Sequence, residues 1–249
     1  MTEVAETAAE RIIWSADVPN LATLVEVLNK VRELKRVKID RLFIERNDWF
    51  VLAALRDRGI EVFFDAKYIE IPSKLEELAR NAVSHEPWML NCMAGAVSND
   101  EMSLREERDE MDGLRRFSDV CLNAGVKPCA VTVLTSKTSD VVQDEFSTDV
   151  EDQVLWYVEK LVDAKFTDVV CSPLEVGAIK KDFGDAINTN TPGIRFAYSN
   201  AGDQARISTP GGAIASGSAR IIMGRDLTKG DPVTNFAGAV AEVEAAMAA

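Results

Sequence analysis

Short apolar runs rich in β-branched residues alternate along the chain with longer segments whose apolar residues recur every three or four positions. Runs of the first kind are typical of buried strands, and the longer period is typical of helices that cover a sheet. The alternation predicts βα units and a parallel sheet. The predicted strands are residues 11–16, 36–39, 61–65, 89–93, 127–134, 168–171, 193–196 and 220–223, with helices at 21–34, 49–58, 73–82, 103–124, 151–164 and 232–247.

Eight strands separated by helical segments close most simply into a (β/α)₈ barrel, although an open doubly wound sheet fits the same order of elements. The length of 249 residues suits one barrel, since barrels of about 250 residues commonly form a single domain. We therefore expect one domain over residues 1–249, with residues 1–10 as a flexible or peripheral segment. In a barrel, reactive groups lie just after the carboxyl ends of strands.

Charge and composition exclude several classes of function. The formal net charge of -13 and the pI near 4.7 argue against a broad basic surface for nucleic acid. Four cysteines without a CxxC pair and a single histidine predict no metal site. No run reaches the roughly 18 to 20 apolar residues of a membrane span, and the start MTEVAETAAE is acidic, so we expect a cytoplasmic protein.

Three charged residues follow the apolar strand in EVFFDAKYIEIP, namely Asp65, Lys67 and Glu70. Asp65 and Lys67 are two positions apart and project to the same side of a strand. Another lysine, Lys38, lies inside the apolar run RVKID, where lysine is seldom buried without a partner. On neighbouring strands these groups would form a Lys-Asp-Lys array that keeps all three charged. The alternatives are a solvated salt bridge at the strand end and an outward-pointing Lys38.

Two segments near the carboxyl end are suited to binding phosphate. The strand in IIMGRDLT ends in Gly224 and Arg225, and the polar loop in TPGIRFAYSNAGDQARISTP contains Gln204. Loops after strands seven and eight of (β/α)₈ barrels frequently hold a phosphate. Glycine lets the backbone approach the anion, and arginine supplies a forked donor for its oxygens.

These segments together resemble one known family, the orotidine 5'-phosphate decarboxylases, from about Ile12 to Pro232. DAKYIEIP is similar to the family's DxKxxDIP motif, and AVTVLTS, VVCS, TPGIR with GDQ, and MGR follow in the family's order. The resemblance implies decarboxylation of orotidine 5'-monophosphate (OMP) to uridine 5'-monophosphate (UMP) in pyrimidine biosynthesis, without metal or cofactor. It also implies a homodimer with shared active sites.

The resemblance implies a role for each matching residue. Lys38, Asp65 and Lys67 correspond to the catalytic charged array, with Lys67 protonating C6 of the pyrimidine, and Glu70 to a carboxylate donated across the dimer interface. The substrate-binding positions are Asp17, Thr135, Ser172, Pro192, Gln204, Gly224 and Arg225. Two positions depart from the family pattern, because Glu70 replaces an aspartate and Met93 stands where many relatives have a histidine.

Two other functions fit the same residues. A metal-dependent decarboxylase or lyase of sugar phosphates could reuse the DxK array, with Glu70 as an oxygen ligand of Mg²⁺. A catalytically impaired barrel could bind a nucleotide without turning it over, because the longer Glu70 side chain displaces a carboxylate, and a displacement of about 1 Å can cost a hundredfold in rate.

Overall fold

The computed structural model describes residues 5–96, 112–198 and 207–249 of the chain, and within them eight parallel strands form a closed barrel. Each strand pairs with the next, and β1 pairs with β8, so the predicted (β/α)₈ barrel is confirmed and the open sheet is excluded. The strands are β1 Ile12–Ser15, β2 Arg36–Asp40, β3 Glu61–Tyr68, β4 Met89–Met93, β5 Lys127–Val131, β6 Asp168–Val170, β7 Asn188–Thr191 and β8 Arg220–Met223.

Helices cover the outside of the barrel and bury the apolar faces that the sequence predicts. They are α1 Leu21–Lys30, α2 Arg41–Asn47, α3 Phe50–Arg56, α4 Pro72–Val83, α5 Asp112–Asn123, α6 Ser139–Phe146, α7 Val150–Asp163, α8 Val176–Phe183, α9 Pro210–Ala215, α10 Arg225–Thr228 and α11 Pro232–Met247, with 3₁₀ turns at Ala9–Arg11 and Ala94–Ala96. Residues 103–111 of the predicted helix at 103–124 lie outside the described part of the chain. The described helices are too short or too polar to cross a membrane.

The predicted seventh strand, residues 193–196, is wrong. The strand is Asn188–Thr191, which is polar at every position. Its side chains have partners inside the fold, because Asn190 donates to Asp168 at 2.9 Å and the Thr191 and Ser218 hydroxyls are 2.5 Å apart. Because every residue of this strand is polar, it has no apolar alternation, so periodicity cannot find it.

The interior of the barrel differs at its two ends. At the amino end, Arg220 pairs with Asp168 at 2.7 Å and with Glu6 at 2.9 Å, and Glu6 also pairs with Arg36 at 2.6 Å. The Arg36 guanidinium lies 4.2 Å from the centre of the Trp88 ring. The middle is apolar and contains Ile13, Phe63, Met89, Cys129, Val131, Val170 and Ile222. Charged and aromatic groups thus close the amino end, while the carboxyl end holds the cavity described next.

Candidate active site

The three charged residues of the predicted array meet at the carboxyl end of the barrel. Lys38 lies on β2 and Asp65 on the neighbouring strand β3. The same oxygen, Oδ2 of Asp65, is 2.6 Å from Nζ of Lys38 and 2.6 Å from Nζ of Lys67. Lys38 therefore points inward, and Asp65 is paired with two cations inside the fold.

Mutual pairing keeps Asp65 and Lys38 ionised despite their burial. Burial alone would raise the pKa of Asp65, but the charges and hydrogen bonds of Lys38 and Lys67 hold the pKa of Asp65 well below its usual range. Burial would likewise lower the pKa of Lys38, but the charge and hydrogen bond of Asp65 outweigh it and raise the pKa of Lys38. The cluster carries two positive charges and one negative charge, so it leaves a net cation beside the cavity.

A fully buried amide that sequence reasoning missed, that of Asn91, completes the cluster. Its Nδ2 donates to Oδ1 of Asp65 at 2.7 Å, and its Oδ1 accepts from the backbone N–H of Lys67 at 2.7 Å. Lys67 has a φ of 47°, a left-handed conformation that costs a non-glycine residue about 1 kcal/mol or more. Asn91 is a polar residue inside the apolar run MLNCM, which is the same signal that identified Lys38.

The cluster forms one wall of a cavity of about 260 Å³ at the carboxyl ends of the strands. The cavity brings together eight of the predicted site residues, which are Asp17, Lys38, Asp65, Lys67, Thr135, Pro192, Gly224 and Arg225. Its apolar lining comes from Val131, Leu134, Val170 and Ile222. A flat, partly apolar ring can lie on this lining with its polar edge towards the charged cluster.

A second group of cations lines the same cavity. Arg225 and Gly224 follow β8, and Arg195, which sequence reasoning missed although it belongs to the TPGIR motif, follows β7. The Nε of Arg195 is 3.8 Å from a carboxylate oxygen of Asp226. Asp17 lies close to Gly224, since a Cβ at Gly224 would be 3.7 Å from Oδ2 of Asp17. The arrangement suits an anion at one end of a ligand and a reacting group at the other.

Two predicted site residues in the described part of the chain, Glu70 and Ser172, do not line the cavity. Glu70 instead lines an outer groove of about 920 Å³ together with Lys67, which lines both spaces. Ser172 is fully buried, and its hydroxyl accepts from the backbone N–H of Leu174 at 3.2 Å. Gln204 lies outside the described residues.

The pairing of Asp65 predicts how stability depends on pH. Because the pKa of Asp65 is lower in the folded chain, its stabilising contribution is complete above the unfolded value of about 3.9 and is lost as the pH falls below that value. We therefore expect the wild type to have a larger free energy of unfolding in urea than Asp65→Asn. The difference between the two proteins should stay constant between about pH 7 and 5 and should decrease below about pH 4. An advantage already lost at about pH 5 would contradict the pairing.

The described residues contain no group of three or more His, Cys, Asp and Glu side chains that could hold a metal ion. The chain's single histidine, His85, stacks on Trp49 with the ring centres 4.3 Å apart and does not line the cavity. Lys38 and Lys67 line the cavity, and a lysine ammonium is a hydrogen-bond donor only.

The closed barrel and the charged cavity define a (β/α)₈ barrel with its site at the carboxyl end, where enzymes of this fold carry their active sites. The profile of the orotidine 5'-phosphate decarboxylase / HUMPS family matches residues 10–238. The chain belongs to this family, so the resemblance seen in the motifs is confirmed.

Individual relatives agree with the family match. The orotidine 5'-phosphate decarboxylase of Chromohalobacter salexigens is 34% identical over 232 residues, which cover 91% of this chain and 92% of the relative. That of Moorella thermoacetica is 32% identical over 244 residues, 95% of this chain and 93% of the relative. The crystal structure of the Lactobacillus acidophilus enzyme superposes with a TM-score of 0.77 at 25% identity, covering 93% of this chain and 98% of that one.

Proposed function

We propose that this chain decarboxylates OMP to UMP and carbon dioxide in the described cavity, with no metal or cofactor. The observation that carries the proposal is the Lys38, Asp65 and Lys67 cluster, a set of paired charges beside a cavity that also has cations suited to a phosphate. Family membership supports the same substrate.

In the proposed reaction, the bond between C6 and the carboxylate breaks and its electron pair stays on C6. The ammonium of Lys67 stabilises the developing negative charge and then donates a proton to C6, and the resulting amine takes a proton from solvent. Asp65 holds Lys67 in place, and Lys38 keeps Asp65 ionised. Because Lys38, Lys67 and Asn91 all bond to the Asp65 carboxylate, little reorganisation is needed as charge develops.

The remaining residues would orient the nucleotide. Arg225, Gly224 and Arg195 are proposed to hold the phosphate, joined by Gln204 as the resemblance implies. Asp17 and Thr135 would bind the ribose and the pyrimidine, and Pro192 would shape the loop beside them. Ser172 would act from behind the lining, through the loop that it orders. Binding energy from the remote phosphate can then be used to exclude water from the reacting ring.

We also propose that two copies pair over the outer groove and share their sites. Glu70 faces this groove, and the flanking Ile69 and Ile71 are 59% and 65% exposed, an unusual exposure for isoleucine. In a pair, Glu70 of one copy would approach Lys67 of the other. Mixing Lys67→Ala with Glu70→Ala after partial unfolding should restore activity that neither variant has alone, whereas a mixture that stays inactive would argue against sharing.

The second candidate is the metal-dependent decarboxylase or lyase of sugar phosphates, which would use the same Asp65 and Lys67 with Glu70 as an oxygen ligand of Mg²⁺. The deciding experiment follows the fall in ultraviolet absorbance of OMP in excess EDTA and then after addition of Mg²⁺. We expect full turnover in EDTA, one UMP per OMP, and no stimulation by Mg²⁺. Turnover of OMP only with Mg²⁺ would contradict the metal-free mechanism.

A third result, tight binding of UMP without turnover, would favour the impaired barrel. In that case Glu70→Asp should create activity, because it restores the side-chain length that the family motif has at this position.

A further inference from the structure

We infer that Asn91 is a positioning residue that sets the geometry of both Asp65 and Lys67 for the reaction. The inference rests on the proposed function, and it concerns a residue that touches the charged cluster rather than the cavity. Its amide is the one described side-chain group bonded both to the Asp65 carboxylate and to the Lys67 backbone. Both bonds are 2.7 Å long and lie in the interior of the barrel.

The orientation of the Asn91 amide is fixed by its two partners. A carboxylate can only accept a hydrogen bond, and a backbone N–H can only donate one. Nδ2 must therefore face Asp65, and Oδ1 must face Lys67, because the flipped amide would lose both bonds. A single side chain thus relates the position of Asp65 to that of Lys67.

The bond to Asp65 determines which carboxylate oxygen the lysines share. Asn91 occupies Oδ1, and both ammonium groups meet at Oδ2. Without the amide, the carboxylate could rotate and accept the two lysines on different oxygens, and Nζ of Lys67 would move with it. Displacements of about 1 Å can cost a hundredfold in rate.

The bond to Lys67 acts on the backbone. Lys67 lies in the left-handed region, with a φ of 47°, which directs its side chain away from the path of a regular strand. The register of β3 against β4 also shifts between Phe64 and Tyr68. Asn91 accepts the N–H at this irregular position, where ladder pairing between the two strands is interrupted. Its carbonyl therefore holds the backbone that aims Nζ of Lys67 at Asp65.

The test compares Asn91→Ala with Asn190→Ala, a matched control. Asn190 is also fully buried in the barrel, and its amide also donates to a buried aspartate that pairs with a cation, but at the amino end. We expect Asn91→Ala to lower kcat for OMP by about 30- to 100-fold with UMP affinity within about fivefold. Asn190→Ala should keep kcat within about threefold, apart from any loss of folded protein measured by thermal unfolding.

Asn91→Asp supplies a readout that a merely structural role would not change. It keeps an acceptor for Lys67 but replaces the donor to Asp65 with a second carboxylate, and two such groups in contact cannot both stay ionised easily. Asn91 contacts Asp65 and Lys67 directly, and Lys38 lies behind Asp65. On the side of β5 the neighbouring Cys129 thiol stays neutral because burial raises its pKa, and Asp168 and Arg220, besides Asp65, are the charged groups that act on that thiol. The rate of Asn91→Asp relative to wild type should rise as the pH falls, since a proton added to the new carboxylate restores a donor to Asp65.

Three outcomes would overturn the inference. They are an Asn91→Ala enzyme within threefold of wild type, an equal loss of kcat in Asn190→Ala, and an Asn91→Asp enzyme with the pH profile of the wild type. If Asn91→Ala does not fold, the nearly isosteric Asn91→Asp variant decides. A wild type that does not turn over OMP would remove the proposed function itself, a different result from a normal rate in the variants.

Discussion

Lys67→Ala is expected to lower kcat/KM for OMP by about 10⁴-fold or more. The substitution removes both the cation that meets the charge developing on C6 and the proton that quenches it, and these effects are each worth about 10² to 10⁴. Asp65 and Lys38 would remain as an ion pair at 2.6 Å. The barrel should therefore stay folded and continue to bind UMP, and steady-state absorbance assays with UMP titration would measure both properties.

Lys165→Ala is the matched control for this substitution. Lys165 also has a left-handed backbone, with a φ of 64°, but its side chain is 70% exposed and its nearest carboxylate is 3.8 Å away. Both variants replace a lysine by alanine at a positive φ, so they share any backbone effect. A Lys67→Ala enzyme that keeps more than about a tenth of the wild-type kcat/KM would remove Lys67 from the proposed chemistry.

Arg225→Ala should lower kcat/KM for OMP by about 100-fold, because a forked, charge-assisted contact with the phosphate is lost. The loss should be specific to the phosphate. With orotidine, the same substrate without its phosphate, wild type and variant should differ by less than about threefold. The comparison uses the ratio of kcat/KM for OMP to kcat/KM for orotidine, so it is insensitive to a change in the fraction of folded enzyme.

Arg80→Ala provides the control for loss of an arginine, since Arg80 is exposed on α4 and pairs with Glu76. The Arg80→Ala variant should have the wild-type kcat/KM for both OMP and orotidine. The assignment of the phosphate grip fails if Arg225→Ala keeps kcat/KM for OMP within threefold of wild type, or if OMP and orotidine lose rate equally.

The fold was predictable from the sequence wherever packing is apolar. The predicted strands at 89–93 and 220–223, which are mostly apolar, match the structure at both ends. β7 was missed because its side chains are polar and form contacts inside the fold instead of an apolar run. Asn190 bonds to Asp168, and the hydroxyl of Thr191 bonds to that of Ser218. Because β7 ends at Thr191, the rest of the TPGIR segment follows the strand, where Pro192 and Arg195 line the cavity.

The site was predictable where a charge interrupts an apolar run, as at Lys38. The same signal existed for Asn91, but a neutral amide is ordinary in a strand, and its value depends on neighbours that only the closed barrel supplies. Glu70 follows Asp65 and Lys67 closely in the sequence, but the fold turns it to the outer groove, and its donation across a dimer interface stays a prediction. Met93 packs against the apolar barrel interior and has no proton to donate there.

In the proposed mechanism, this cavity stabilises negative charge on C6 and Lys67 controls the proton there. The most direct test is the exchange of the C6 hydrogen of UMP for deuterium in D₂O, followed by proton NMR with wild type and Lys67→Ala in excess EDTA. This exchange needs no loss of carbon dioxide, so it isolates the carbanion step. We predict loss of the H6 signal with wild type and no loss above the buffer rate with Lys67→Ala. Equal exchange by wild type and Lys67→Ala would show that Lys67 does not control the proton at C6.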